Sequence, residues 1–192
     1  MSPAKTIIGL TGSIGAGKGE VVKILEQLGF QYMTLSQMVR EEARRRGIPE
    51  EREKLQDLGN TLRAENGLGV FGKKAIEKLK TAEGSLWMVD GIRHPAEIDE
   101  LRKEKGVHIL GVTADRELLI ERVLKRGRPS DPKTREEVVK RIDRDWGVGE
   151  KADGQQVGAC VAKADTLIEN NGTPEELNQK VLAYYNGIKP TM

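Results

Sequence analysis

Cysteine is nearly absent. Cys160 is the only one, so no disulfide forms within the chain, and a reducing, cytoplasmic setting is expected. It sits among small residues in VGACVAKA (157–164) and reads as a buried packing residue, not a nucleophile. Histidine is scarce too: His94 and His108 are the two present, and neither has partners at metal-ligand spacing. Long apolar runs are missing. The opening MSPAKTIIGLTGS has one lysine and an apolar run of four residues before Thr11, too short for a signal peptide or a membrane span. An excess of one charge is missing as well: 32 Lys and Arg face 30 Asp and Glu, a net +2, so no global field draws the protein to a membrane or to nucleic acid. The triplet Arg44-Arg45-Arg46 is interleaved with acids and lacks aromatics, unlike a nucleic-acid footprint. Repeats, low-complexity tracts and Pro/Ser-rich linkers do not occur, so one domain over 1–192 is expected.

What is present is an alternation of short apolar runs with amphipathic stretches. TIIGLT (6–11), FQYMTL (30–35), SLWMVDG (85–91), VHILGVT (107–113) and DTLIEN (165–170) read as strands. Helices are expected over 19–29, 36–47, 49–67, 69–80, 95–106 and 116–127, with Pro49 at a first helical position and Asp115 as a cap. Thr134 with Glu137 and Thr173 with Glu176 form capping-box pairs ahead of two more helices. Strands alternating with helices imply parallel pairing, hence an α/β three-layer sandwich with about five strands. The helices of 36–80 interrupt that alternation and are expected to form an inserted lobe that binds substrate.

Gly12-Ser13-Ile14-Gly15-Ala16-Gly17-Lys18 fits G-x-x-x-x-G-K between a strand and a helix. Glycines there let consecutive N–H groups turn inward as an anion nest, and the following helix adds its positive N-terminal end. Lys18 is expected to reach the β- and γ-phosphates of a nucleoside triphosphate. Gly19 stands where a magnesium-binding hydroxyl is usual, and Glu20 follows as a first-turn acid favoured by the helix dipole. Magnesium would then be held by phosphates and water. Asp90, which ends a hydrophobic strand, is the carboxylate expected behind that water shell.

The stretch GAGKG resembles the loop of adenylate kinases, which also carry glycine after the lysine but a threonine where this chain has Glu20. YMTLSQMVR (32–40) and VDGIRHPAE (89–97) are similar to segments of nucleoside monophosphate kinases. The resemblance implies a P-loop NTPase fold of the nucleotide-kinase type using ATP and Mg²⁺. Arg40 and Arg93 would then hold the acceptor phosphate. It further implies that Arg122 and Arg126 cover the adenine and reach the phosphates. A very short lid over 126–134 would bring in Arg128, and the later Lys140-Arg141-Ile142 would bring in Arg141, as catalytic cations beside Lys18, Arg93 and Arg126. LQDLGNTLRAENG (55–67) would place Gln56, Asn60 and Arg63 where they could read the acceptor, although helix packing explains them equally well.

The beginning, IGLTGSIGAGKGEVVKILEQLG (8–29), also resembles the loop region of dephospho-coenzyme A kinase, and the chain as a whole resembles uncharacterised archaeal and bacterial nucleotide kinases grouped near it. Dephospho-coenzyme A kinases carry an aspartate pair where this chain has Thr34 and Ser36. A hydroxyl acceptor wants a carboxylate to take its proton, whereas a phosphate acceptor wants cations. A small-molecule acceptor of the nucleoside or deoxynucleoside monophosphate type is therefore expected. A hydroxyl-acceptor kinase, with Asp131 as its candidate base, is the alternative within the class. A nucleotide-dependent switch with no acceptor is the alternative outside it.

Overall fold

A computed structural model describes residues 5–129 and 131–188. Five parallel strands form one sheet in the order β2-β3-β1-β4-β5: β1 Thr6–Gly12, β2 Gln31–Thr34, β3 Leu86–Ile92, β4 Val107–Thr113 and β5 Thr166–Glu169. Parallel strands need crossovers, and helices supply them: α1 Lys18–Gln27, α2 Leu35–Arg46, α3 Arg52–Asn66, α4 Val70–Thr81, α5 Pro95–Leu101, α6 Arg116–Arg126, α7 Arg135–Trp146, α8 Val157–Ala162 and α9 Pro174–Ile188.

The pleat of β1 sends successive side chains to opposite faces. Ile8 and Leu10 join Met88, Leu110 and Val112 in a core covered by α1, α6, α7 and α9. Ile7 on the other side joins Trp87, Val89 and Ile109 under α2, α3, α4, α5 and α8. The result is the expected α/β three-layer sandwich on an all-parallel five-stranded sheet. The helices of 36–80 share the second core with the sheet: Met38, Leu62, Phe71 and Leu79 are buried in it. Among the described residues, no helix is long and apolar enough to cross a membrane.

Some local expectations are corrected. Pro49 does not open α3, which starts at Arg52 with Glu51 at the cap position; Glu50 is held outside the helix by Arg40 and Arg44 at 2.8 and 2.6 Å. Asp115 occupies the cap of α6 without a side-chain capping bond, because its carboxylate accepts from the Asn171 amide at 2.9 Å instead. Helix α5 stops at Leu101, ahead of the expected end at 106. Ser130, inside the lid expected over 126–134, lies outside the described residues.

Strand β1 sits between β3 and β4, so the chain leaves β1 toward one edge of the sheet and returns past it to the other. Loops at the carboxyl ends of strands diverge at such a point and leave a crevice there. The glycine-rich loop after β1 lies in it.

Candidate functional site

Gly12, Gly15 and Gly17 have φ of 142°, 84° and 99°, values that side-chain-bearing residues rarely adopt. Packing excludes a side chain at each as well. A Cβ on Gly12 would run into the Val112 carbonyl, one on Gly15 would lie 2.8 Å from the Leu119 carbonyl oxygen, and one on Gly17 would meet the Asn170 amide. Asn170, just past β5, donates to the Ala16 carbonyl at 2.9 Å and so ties the loop to the far side of the sheet. Gly19 differs from the other three. It is helical, and a Cβ there would meet nothing within 4 Å. The backbone does not require that glycine; its effect is to leave the space in front of the loop clear.

Lys18 opens α1, and its Nζ donates back to the carbonyls of Gly12 and Ser13. Burial is the main force on it and brings its pKa down to about 8; Asp90 and Asp145 oppose, while Arg93 and Arg52 reinforce. The Ser13 hydroxyl is buried with no hydrogen-bond partner among the described residues.

In front of the loop lies a cavity of about 610 Å³. Ser13, Gly15, Gly17, Lys18, Gly19 and Glu20 of the loop line it together with Tyr32, Asp90, Arg122, Arg126 and Arg128. Asp90 accepts from its neighbour Gly91 N–H at 2.6 Å and from the Tyr32 hydroxyl at 3.1 Å. Burial, then Asp90, push the Tyr32 phenol up to about 12, so it stays a donor. Glu20 is exposed and pairs with Lys23 at 2.9 Å, as a first-turn acid does. Arg122 donates to the Asn170 carbonyl at 2.8 Å. Arg126 forms a two-pronged pair with Asp131 at 2.6 and 2.7 Å, and Arg128 N–H adds a third bond at 3.2 Å. Asp131 is therefore a clamp that closes the turn after α6. Its carboxyl is held below the usual range by those bonds, against the effect of burial, and it is not poised to take a proton from a substrate.

A smaller side cavity of about 200 Å³ adjoins it. Leu35, Val39, Leu55 and Phe71 supply apolar wall; Arg40, Arg52, Gln56, Arg63, Arg93 and Gln155 supply the polar part, and among the described residues no Asp or Glu lines it. Arg52 and Arg93 line both cavities. Arg93 follows β3 and pairs with Asp145, which is fully buried near the end of α7 and also accepts from the Ile14 N–H of the loop at 3.2 Å. One carboxylate thus fixes both the loop and the arginine facing it. Thr34 and Ser36 hydroxyls lie 2.9 Å apart, and Thr34 caps α2.

The structure brings together Lys18, Asp90, Arg122, Arg126 and Arg128 at the loop cavity and Arg40, Gln56, Arg63 and Arg93 at the side cavity. Arg40 is half exposed and paired to Glu50. Arg63 reaches the wall, yet its guanidinium is buried against Glu97 at 2.9 Å and lies over the Phe71 ring at 5.2 Å; it holds α3 to α5. Two expected site residues are placed elsewhere. Asn60 lines neither cavity and donates to Glu150 at 3.0 Å, because its turn of α3 faces the 147–156 connection. Arg141 lines a third cavity with Asp131, Lys140 and Arg144, which shares Gln56 with the side cavity.

Sequence reasoning missed Arg52, Tyr32, Asp145 and Gln155. Arg52 carried a signal: it is a cation in the first turn of a helix, where the dipole favours acids. Tyr32, two residues before Thr34 on an edge strand, carried only its strand pattern. For Asp145 and Gln155 no local pattern existed.

Residues 11–140 match a family described as an AAA domain. Among curated relatives, UPF0200 protein TV0279 of Thermoplasma volcanium is 32% identical over 179 residues, covering 90% of this chain and 94% of that protein. Among solved structures, TT1252 from Thermus thermophilus is similar with a TM-score of 0.62 at 22% identity, over 97% of this chain and 100% of that one. Shikimate kinase from Bacteroides thetaiotaomicron is similar with a TM-score of 0.59 at 14% identity, over 94% and 98%. At those identities the likeness shows the fold alone, a three-layer α/β sandwich on a parallel sheet.

Proposed function

We propose that this chain, which belongs to the UPF0200 family and carries an AAA domain over residues 11–140, transfers the γ-phosphoryl of ATP-Mg²⁺ to an acceptor that already bears a phosphate, a nucleoside or deoxynucleoside monophosphate. The observation that carries this reading is the pairing of two cavities. One holds the glycine loop and Lys18; the other is lined by arginines and no carboxylate, and they join at Arg52 and Arg93. A cavity of that lining suits a group that arrives as an anion and needs no base.

In the transfer, the bond from the γ-phosphorus to the β-phosphate oxygen breaks as a bond from an acceptor phosphate oxygen forms. ADP and an acceptor diphosphate leave, and no proton has to be removed from the acceptor dianion. The loop N–H groups and Lys18 hold the donor phosphates, Arg93 and Arg40 the acceptor phosphate, and Arg126 and Arg128 face the charge in transit. The donor set fits a magnesium ion that arrives with the nucleotide and is held through water. Asp90 is a carboxylate of the same cavity as Lys18, Gly19 brings no hydroxyl, and among the described residues no cluster of three metal-binding side chains exists.

One observation favours a second reading, a hydroxyl acceptor: Asp90 lines the loop cavity and could take its proton. Both readings are tested by ADP production from ATP-Mg²⁺ against ribo- and deoxynucleoside monophosphates, dephospho-coenzyme A and shikimate. The expected result is turnover with a monophosphate, lost in Lys18→Ala and Arg93→Ala. Turnover with a hydroxyl acceptor alone, abolished in Asp90→Asn, replaces the first reading by the second. Acceptor-independent hydrolysis indifferent to Arg93→Ala removes both and leaves a nucleotide-dependent switch.

A further inference from the structure

Among the arginines that line the two cavities, Arg63 pairs with Glu97, Arg93 with Asp145 and Arg126 with Asp131. Arg52, half-buried in the same region, has no such partner. Among the described residues no carboxylate lies within ion-pairing distance of it, and its Nε is buried without a hydrogen-bond partner. Three further facts make its position costly. It stands at the first position of α3, where the positive end of the helix repels a cation. Its near carboxylate, Asp145, is already engaged by Arg93 and the Ile14 N–H. Burial first, then Arg93, Arg141 and Arg126, pull its pKa down to about 10, with Asp145 opposing. A cation buried among cations is tolerated where an anion comes to it. Arg52 lines both cavities, so its guanidinium is shared between them.

We infer that Arg52 is an anion-binding residue of the reaction, holding the terminal phosphate of a loop-bound triphosphate chain where the two cavities join. The inference rests on the proposed role of the loop cavity. Lys18 and the loop N–H groups grip the inner phosphates; Arg52 meets the outermost one from the acceptor side. Its planar fork suits the three oxygens of a phosphoryl group.

The test is titration calorimetry in magnesium-free buffer at neutral pH, with inorganic pyrophosphate and inorganic tripolyphosphate as probes, on the wild type and on Arg52→Met, Arg52→Lys and Lys18→Ala. The wild type is expected to bind tripolyphosphate more tightly than pyrophosphate. Arg52→Met should keep its pyrophosphate affinity, lose about tenfold or more in tripolyphosphate affinity, and unfold at no lower temperature than wild type in anion-free buffer. Arg52→Lys should recover part of the loss. An Arg52→Met protein that fails to fold, or that retains the wild-type preference, overturns the assignment, as does a wild type without that preference. Lys18→Ala separates the two levels. If it still binds both anions, the role given to the loop cavity fails; if it loses both while Arg52→Met loses neither, that role stands and the Arg52 assignment falls.

Discussion

Gly17 and Gly19 lie two positions apart and answer to different constraints. Gly17 has a positive φ and abuts the Asn170 amide, which is tied to Ala16. Gly17→Ala is expected to destabilise the fold by about 2 kcal/mol and to abolish nucleotide binding, checked by denaturant unfolding and by titration with ATP. Gly19→Ser meets open space in a helical conformation, so its stability should match wild type within about 0.5 kcal/mol. Lys18 between them has a pH signature. Its pKa is brought down to about 8 in the free protein, and an anion binds its charged form. Affinity for ATP is therefore expected to be level below that pH and to fall as pH rises through 8, with proton uptake on binding measurable in buffers of different ionisation enthalpy. At this scale the loop was legible in the sequence, because its strand, turn and helix are contiguous. The freedom at Gly19 was not, since it depends on what is absent around it.

At the scale of elements, buried ion pairs set how helices meet the sheet. Glu97 on α5 is fully buried, pairs with Arg63 of α3, and accepts from the N–H groups of Arg93 and His94 at 2.9 and 3.1 Å. Removing one partner of such a pair leaves the other charge buried. Glu97→Ala is expected to cost about 3 to 5 kcal/mol, read from chemical denaturation, and to displace the segment that carries Arg93. The helices themselves were legible from capping boxes and periodicity: Thr134 with Glu137 opens α7 and Pro95 follows the cap of α5 as the pattern implies. Where α3 begins was not legible, because Glu50 is drawn into pairs with Arg40 and Arg44 on the neighbouring helix.

The whole molecule is two apolar cores back to back on one sheet, so neither can loosen without the strands between them. Cys160 belongs to the second core; it is fully buried, and burial above all pushes its thiol up to about 12. Alkylation of Cys160 by iodoacetamide at pH 8 is therefore expected only through global unfolding, with a rate that follows the unfolding rate in denaturant. Labelling at the speed of a free thiol would mean that the α8 side opens on its own. The sequence by itself determined the strand-and-helix alternation, the parallel sheet and the phosphate-type loop, because each is written in residues near one another along the chain. Tertiary structure alone decided which arginines are paired with a carboxylate and which are not. Asp145 is 52 positions from Arg93, and Asn170 is 154 from Ala16. No periodicity links residues so far apart, so whether a guanidinium is neutralised or left open is settled only when the elements pack.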